Sequence, residues 1–404
     1  MPGKQLLIFS WEYFGYHSPQ GTALSKRPRQ VAESFVKNGW DVVVVHRDST
    51  VECGAAPFGV HKEVSGVTRI PVKMTAPYVD TGGNGLVRRL KTLYYVAYKG
   101  DRSYRWADDV RRCFENFGVS IQPDLIIGFY TPRGPLVLAS QYAARYNVQW
   151  IADIQDPILT GVPPAMVPLA RRWANKNLAS AAARVHVSPE WGAEDAGYSG
   201  LPFTVIRHAI PNPGSVNKAE GNLLPEQYRD SFNIFYGGSL SYVLQSPELL
   251  KKVIDKAAEA GRKVMVHVAG DENARRSFVK GIGEANLNYV GWISSEQLSR
   301  YVNSCDCTMV IPLSREKIGI PSKFYELCVY DKPIWVVGYD TGAFVSLLAE
   351  WQHPPIPVGD LDYQVDALLQ AARGDSSKMF NLSACKGKYL YADDLFGSYM
   401  KLLK

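Results

Sequence analysis

The sequence predicts an α/β protein built from two doubly wound parallel-sheet halves. Short apolar or β-branched runs alternate with helix-period segments from end to end. The alternation restarts near residue 205, after which residues 211–222 form a Pro-, Gly-, Asn- and Ser-rich connection. A chain of 404 residues also exceeds one ordinary α/β core, which favours two domains of similar size.

In the first half, residues 6–9 read as a buried strand, followed by a polar, aromatic, Gly-containing loop through Gly21. A helix is expected to begin near Arg27-Pro28, because proline is tolerated in a first turn, and to stop at Gly39. Residues 41–45 form an unbroken β-branched strand, completing a βαβ unit with a right-handed crossover. Strands follow at residues 67–72, 125–127, 148–152 and 184–187, with a helix at 104–117 and another running to Tyr146 after a turn at Thr131-Pro132-Arg133-Gly134. The strand at 148–152 delivers Asp153 and Asp156 at its carboxyl end.

The second half opens with a strand at 232–236 tipped by Gly237-Gly238, and further strands are expected at 263–269, 287–290, 307–311 and 333–337. Helices at 247–260, 295–303, 322–330 and 343–349 lie between them. Residues 393–403 read as a short amphipathic helix with no strand after it, placed to pack back onto the first half. The expected division is therefore 1–205, joined by a C-terminal stretch from about 388 to 404, and 206–387.

Composition narrows the function classes. No apolar run reaches the roughly 18 residues needed to cross a bilayer. The N-terminus enters its first strand without a signal-type apolar region, so the expected location is cytoplasmic, with peripheral contact at the inner face of the membrane. The six cysteines form no paired ligand set and read as reduced, mostly buried thiols. All of the net charge of +6 falls in residues 1–205, which suits an anionic membrane, a phosphate-bearing acceptor or nucleic acid. Residues 86–112 interleave Arg88, Arg89, Lys91, Lys99, Arg102, Arg105, Arg111 and Arg112 with aromatics. That pattern fits an interfacial segment at an anionic bilayer, an RNA surface, or a buried aromatic row with solvated arginines.

Open α/β sheets bind ligands beyond the carboxyl ends of their strands, and two facing sheets make a cleft. Two loops there carry suitable chemistry. In the first, Lys317, Gly319, Ile320, Pro321 and Ser322 lead from a strand into a helix bearing Lys323 and Glu326. Helix-terminal N–H groups, a glycine for close approach and a lysine suit a diphosphate, and Glu326 suits vicinal hydroxyls such as a ribose. The second is the strand-to-helix turn Gly291-Trp292-Ile293-Ser294, suited to a nucleobase.

The order Phe235-Tyr236-Gly237-Gly238-Ser239, Val290-Gly291-Trp292-Ile293-Ser294, Cys305-Asp306-Cys307, Gly319-Ile320-Pro321-Ser322-Lys323-Phe324-Tyr325-Glu326 and Lys332-Pro333 resembles the donor half of family 4 glycosyltransferases. Pro123-Asp124-Leu125-Ile126-Ile127 and Asp153-Ile154-Gln155-Asp156 are similar to stretches of that family's N-terminal half, and the subgroup most resembled makes bacterial surface polysaccharides. The resemblance implies a GT-B fold, two Rossmann-like domains facing across a cleft, and a sugar moved from a nucleotide diphosphate sugar to a glycan or lipid-linked acceptor. It further implies that Gly319 to Ser322 hold the donor phosphates, with Gly238 and Ser239 beside them and Gly21 approaching from the other domain. Glu326 would take the ribose, and Trp292 and Ile293 the base.

Family 4 enzymes retain anomeric configuration and use no metal, so no cofactor is expected. Asp153 and Asp156 would position acceptor hydroxyls or act as base; the alternative is a loop and helix-capping pair. Two family charges are missing: Ile318 stands where the E-x7-E pair has its first acid, and residues 239–245 contain neither Arg nor Lys. Lys323, Lys317 or Arg315 would then meet the phosphate charge. Asp360-Leu361-Asp362 formally matches a metal-binding DxD but reads as a surface loop.

A nicotinamide dehydrogenase is excluded by the lack of GxGxxG after the first strand, since Gly15 and Gly21 do not match and Gly281-Ile282-Gly283 lacks the third glycine. A nucleotide-sugar epimerase of GT-B fold, with His17, His186 and His208 as candidate groups, and a non-catalytic nucleotide-sugar-binding protein are the rival readings.

Overall fold

The structure is a computed structural model. It describes residues 3–13, 23–48, 61–62, 66–74, 85, 87, 103–117, 121–158, 164–214, 221–238, 247–311, 319–338 and 342–403. The chain forms two compact units, Met1–His208 with Ala392–Lys404, and Ala209–Tyr391.

The first unit is built on eight strands: β1 (Gln5–Ser10), β2 (Asp41–Asp48), β3 (His61–Lys62), β4 (Thr68–Lys73), β5 (Leu125–Tyr130), β6 (Gln149–Ile154), β7 (Ala183–His186) and β8 (Thr204–Val205). Their order is β3-β4-β2-β1-β5-β6-β7-β8, parallel except for the β3–β4 pair. The central strands read as apolar runs because helices cover both faces; every residue of β5 is buried. Between the strands lie α1 (Ala23–Lys37), α2 (Tyr104–Phe117), α3 (Gly134–Tyr146), α4 (Val167–Leu178) and α5 (Pro189–Ser199). Helix α1 starts a turn earlier than the sequence suggests and carries Pro28 inside it, so the helix loses the one internal bond that a residue 28 N–H would make. Helices α4 and α5 escape the sequence reading. Ser188 caps α5, accepting from the Trp191 N–H, and Pro189 is its first residue.

The C-terminal segment belongs to this unit. Rather than one helix, it is a single α-helical stretch (Leu395–Met400) between two 3₁₀ turns. Phe396 packs edge-on to Phe35 at 5.0 Å, Lys37 pairs with Asp393 at 2.6 Å, and Tyr399 is fully buried.

The second unit has five parallel strands: β9 (Phe232–Gly237), β10 (Val264–Ala269), β11 (Leu287–Gly291), β12 (Cys307–Val310) and β13 (Ile334–Val336), in the order β11-β10-β9-β12-β13. One face packs on α6 (Pro247–Glu259), α7 (Glu272–Ile282) and α11 (Leu361–Ala371) through Leu250, Val253, Phe278 and Leu368. The other packs on α8 (Ser295–Ser304), α9 (Ser322–Leu327) and α10 (Ala343–Glu350), where Phe324, Phe344, Trp351 and Phe380 form an aromatic core. The structure is therefore the α/β, doubly wound architecture expected of both halves. Asp360 and Asp362 do not form a surface loop: Asp360 caps α11 by accepting from the Tyr363 N–H, and Asp362 pairs with Lys256 at 3.0 Å.

A buried histidine on β10 ties acid stability to this unit. His267 has no exposure and lies between Asn233 Oδ1 (2.8 Å from Nε2) and Asn288 Nδ2 (2.9 Å from Nδ1). Burial lowers its pKa from 6.5 to about 4. The unfolded chain therefore binds the extra proton between those two values. Stability should fall as pH drops through that window, by about 3 kcal/mol in the limit, and be unaffected above it. Urea midpoints of wild type and His267→Gln, compared between pH 7 and 4.5, should show a shallower pH dependence in the variant. An unchanged slope would remove His267 from the acid transition.

Candidate functional site

In the second unit the strand order reverses between β9 and β12, and ligands bind outside the carboxyl ends of strands at such a point. Strand β9 ends there at Gly237-Gly238. Gly238 has φ +130, and its missing Cβ would lie 1.2 Å from Lys323 Nζ. The ammonium group of Lys323 thus occupies space that only glycine leaves open, 5.2 Å from the Tyr236 ring centroid. Burial, with Asp271 adding to it, pushes the Tyr236 phenol upward, so the ring stays neutral beside that cation. Gly270, just past β10, is forced by contact: a Cβ there would meet the Gly238 carbonyl oxygen at 2.4 Å.

The amides of this tip are already engaged. Gly238 N–H donates to Ala269 O at 2.7 Å and Gly270 N–H to Gly291 O at 2.9 Å. An anion at the tip would therefore meet the Lys323 charge rather than these dipoles.

Strand β11 ends at Gly291, with φ +70, and presents Trp292 with 73% of its surface exposed. Ile293, half-buried, packs against the aromatic core, and Ser294 with Gln297 forms a capping box that starts α8. Beyond β12, Gly319 and Ile320 are buried, Ile320 as a core side chain, and Pro321 sets the entry to α9. Glu326 lies one turn from Ser322 and is half-buried. Burial, with Glu326 adding to it and Ser299 opposing, pushes the nearby Tyr330 phenol up to about 12.

Of the expected donor residues, the structure brings Gly238 and Lys323 into contact and sets Trp292 at the carboxyl edge of the same sheet. Gly21, Ser239 and Lys317 lie outside the described residues. Gly270 and Tyr236 were not singled out in the sequence, although an Ala-Gly-Asp step closing a buried strand was a readable sign of close backbone approach.

In the first unit Asp153 is fully buried at the end of β6. Arg27 Nε donates to its two oxygens at 2.9 and 3.0 Å, and the Tyr399 hydroxyl donates to Oδ2. Burial works against the Arg27 charge, but Asp153 and Tyr399 outweigh it and raise its pKa. Burial likewise drives the Tyr399 phenol well up, so it remains a donor. Asp153 is thereby an internal anchor with no exposed oxygen. Asp156, half-buried, accepts from Thr131 Oγ1 at 3.2 Å.

His186 pairs with Asp195 at 3.0 Å in the interior, and His208 is lowered to about 3 by burial, then by Arg27 and Lys26. His17 lies outside the described residues. Among the described residues no group of three or more His, Cys, Asp or Glu stands together to hold a metal ion. The five described cysteines are free thiols, with Cys113 and Cys385 raised by burial to about 11.

The basic and aromatic stretch at 86–112 is described only at residue 87 and from 103 on. There it is the packed start of α2. Trp106 is buried and donates to Val72 O at 3.0 Å, Arg112 pairs with Asp109 at 2.7 Å, and Arg111 pairs with Asp108 and Gln141. No helix among the described residues is long and apolar enough to cross a membrane.

A family model described as a glycosyl transferase 4-like domain matches residues 22–213. No curated protein sequence matches the chain. Among solved structures it is similar to sucrose-phosphate synthase from Thermosynechococcus elongatus, at 14% identity over 99% of each chain and a TM-score of 0.58. It is also similar to the Escherichia coli trehalose-6-phosphate structure bound with UDP-2-fluoro glucose, at 14% identity over 99% of this chain and 96% of that one, TM-score 0.61. A putative UDP-N-acetylglucosamine 2-epimerase from Listeria monocytogenes aligns at 10% identity over 99% and 96%, TM-score 0.54. Likenesses at these identities establish the fold. The chain therefore has the GT-B fold of these structures, and residues 22–213 resemble a glycosyl transferase 4-like domain.

Proposed function

We propose that the protein transfers a sugar from a nucleotide diphosphate sugar to a glycan or lipid-linked acceptor, retaining anomeric configuration and without a metal. The observation that carries this reading is the Lys323 ammonium seated over Gly238 at the switch point of the second unit. A departing nucleotide diphosphate needs fixed positive charge, and Lys323 supplies it where residues 239–245 hold no basic side chain. Trp292 offers an exposed ring for the base, and Glu326 a carboxylate for the ribose hydroxyls. The fold neighbour bound with UDP-2-fluoro glucose supports a nucleotide-sugar donor.

With Asp153 closed inside its ion pair, the leaving phosphate takes the acceptor proton, in keeping with retention. The excess positive charge of residues 1–205 supports a phosphate-bearing acceptor presented at an anionic membrane surface.

Incubation with a panel of nucleotide sugars tests this. Nucleotide diphosphate released only when acceptor is added is the expected result. An isomerised donor would replace the reading with the epimerase one, and no turnover would leave a binding protein. Trp292→Ala should weaken nucleotide binding by about 1–3 kcal/mol if the base stacks on the ring. Titration with the nucleoside diphosphate measures it, and an unchanged affinity moves the base elsewhere.

A further inference from the structure

The first unit holds a pocket of about 380 Å³, mouth included, lined by α4, α5 and the strands beneath them. Its walls are mainly apolar, with Ala174 and Leu178 from α4, Ala196 from α5, Ile158 from beyond β6 and Phe203 from just before β8. Phe203 is fixed in that wall. A Cβ on Gly192 would lie 2.3 Å from its ring, so the ring rests on the backbone of α5, and His186 meets it edge-on at 6.0 Å.

His186, which also lines the pocket, brings a polar atom that the fold leaves unmatched. The residue is 1% exposed, its Nε2 lies 3.0 Å from Asp195 Oδ2, and its Nδ1 has no hydrogen-bond partner among the described residues. The Ile158 N–H donates to both Asp195 oxygens at 3.1 Å, which marks the carboxylate as the acceptor. Nε2 therefore carries the proton, and in the neutral ring Nδ1 presents a lone pair. Burying such an atom unpaired is costly, and nearly all are paired.

The other polar groups of the wall are engaged or turned to solvent. Arg184 donates to the carbonyls of Leu178, Ala181 and Pro202, Ser199 Oγ donates to Asp195 O, and Arg171 is exposed. A buried water ordinarily makes about three hydrogen bonds, which a single acceptor among apolar walls does not supply. A hydroxyl on an apolar body suits the pocket better, because it needs one acceptor and gains the rest by contact.

We propose that this pocket binds a small apolar molecule bearing one hydroxyl, of the phenol class, whose O–H donates to His186 Nδ1. The site stands on the geometry of the first unit alone and does not depend on the transferase reading.

Saturation-transfer NMR titration of the full chain at pH 8 tests it, with phenol and with toluene, which has a similar size and no hydroxyl. The expected result is saturable phenol binding at least fivefold tighter than toluene binding, the worth of one hydrogen bond to a buried acceptor. Binding should be lost in Ala196→Leu, whose added side chain fills the pocket. Ala196 is half-buried on α5, so the variant should fold, with a urea midpoint close to that of wild type. If it does not fold, the two ligands compared on the wild-type chain still decide. Toluene bound as tightly as phenol removes the hydrogen bond to His186, and phenol affinity unchanged in a folded Ala196→Leu places the ligand elsewhere. Either result overturns the proposal, as does absence of phenol binding, which leaves the pocket to an ordered water.

Discussion

Asp153→Ala should destabilise the first unit by about 3–5 kcal/mol, the cost of leaving a buried guanidinium without its counter-ion. Arg27 and Asp153 are 1% and 0% exposed and 2.9 Å apart, so water does not screen the loss. Tyr399→Phe removes a hydrogen bond to the same carboxylate and should cost less, about 1.5–3 kcal/mol. The two effects should not add, because both residues act on one oxygen pair. Urea unfolding followed by tryptophan fluorescence measures the two single variants and the double. An Asp153→Ala shift under about 1 kcal/mol would mean that the guanidinium finds solvent, and would restore Asp153 as a candidate for contact with ligand.

Gly238→Ala should remove most nucleoside diphosphate binding. The residue has φ +130, which an alanine adopts only with strain of about 1–3 kcal/mol, and the new methyl group takes the place of Lys323 Nζ. The lysine is flexible and can swing aside, but then its charge leaves the β9 tip. Lys323→Gln separates the two causes. It should leave stability close to wild type while weakening nucleoside diphosphate binding by about 10- to 100-fold, the worth of one charged hydrogen bond. Nucleoside monophosphate should be affected less in both variants, because the lost charge faces the outer phosphate. Equal losses for mono- and diphosphate would place Lys323 away from the diphosphate.

Much of the fold was legible because strand and helix periods are local. The β-branched run at 41–45 and the apolar run at 125–127 can only be buried strands in an α/β alternation, and they became β2 and β5. Helix α2 was read at the bounds it has in the structure. Helices α5 and α11 were missed for one reason: their caps, Ser188 and Asp360, also suit turns, and only the packed helix behind them decides. Within the stretch at 86–112, the residues described from 103 on show what only packing decides: Trp106 is core, and Arg111 and Arg112 of α2 pair with Asp108 and Asp109 one turn away.

By itself the sequence determined the alternation of elements, the glycine at the β9 tip, and the loop from which Lys323 rises, because these depend on residues near one another along the chain. The pairing of Lys323 with Gly238, some 85 positions apart in the numbering, was decided by the crossover that sets β12 beside β9. So was the fate of Asp153. Its place at a strand end suggested contact with substrate, but Arg27 and a tyrosine 246 residues away close over it. Burial and charge pairing between distant segments arise only once the chain has folded, so no local pattern could have assigned them.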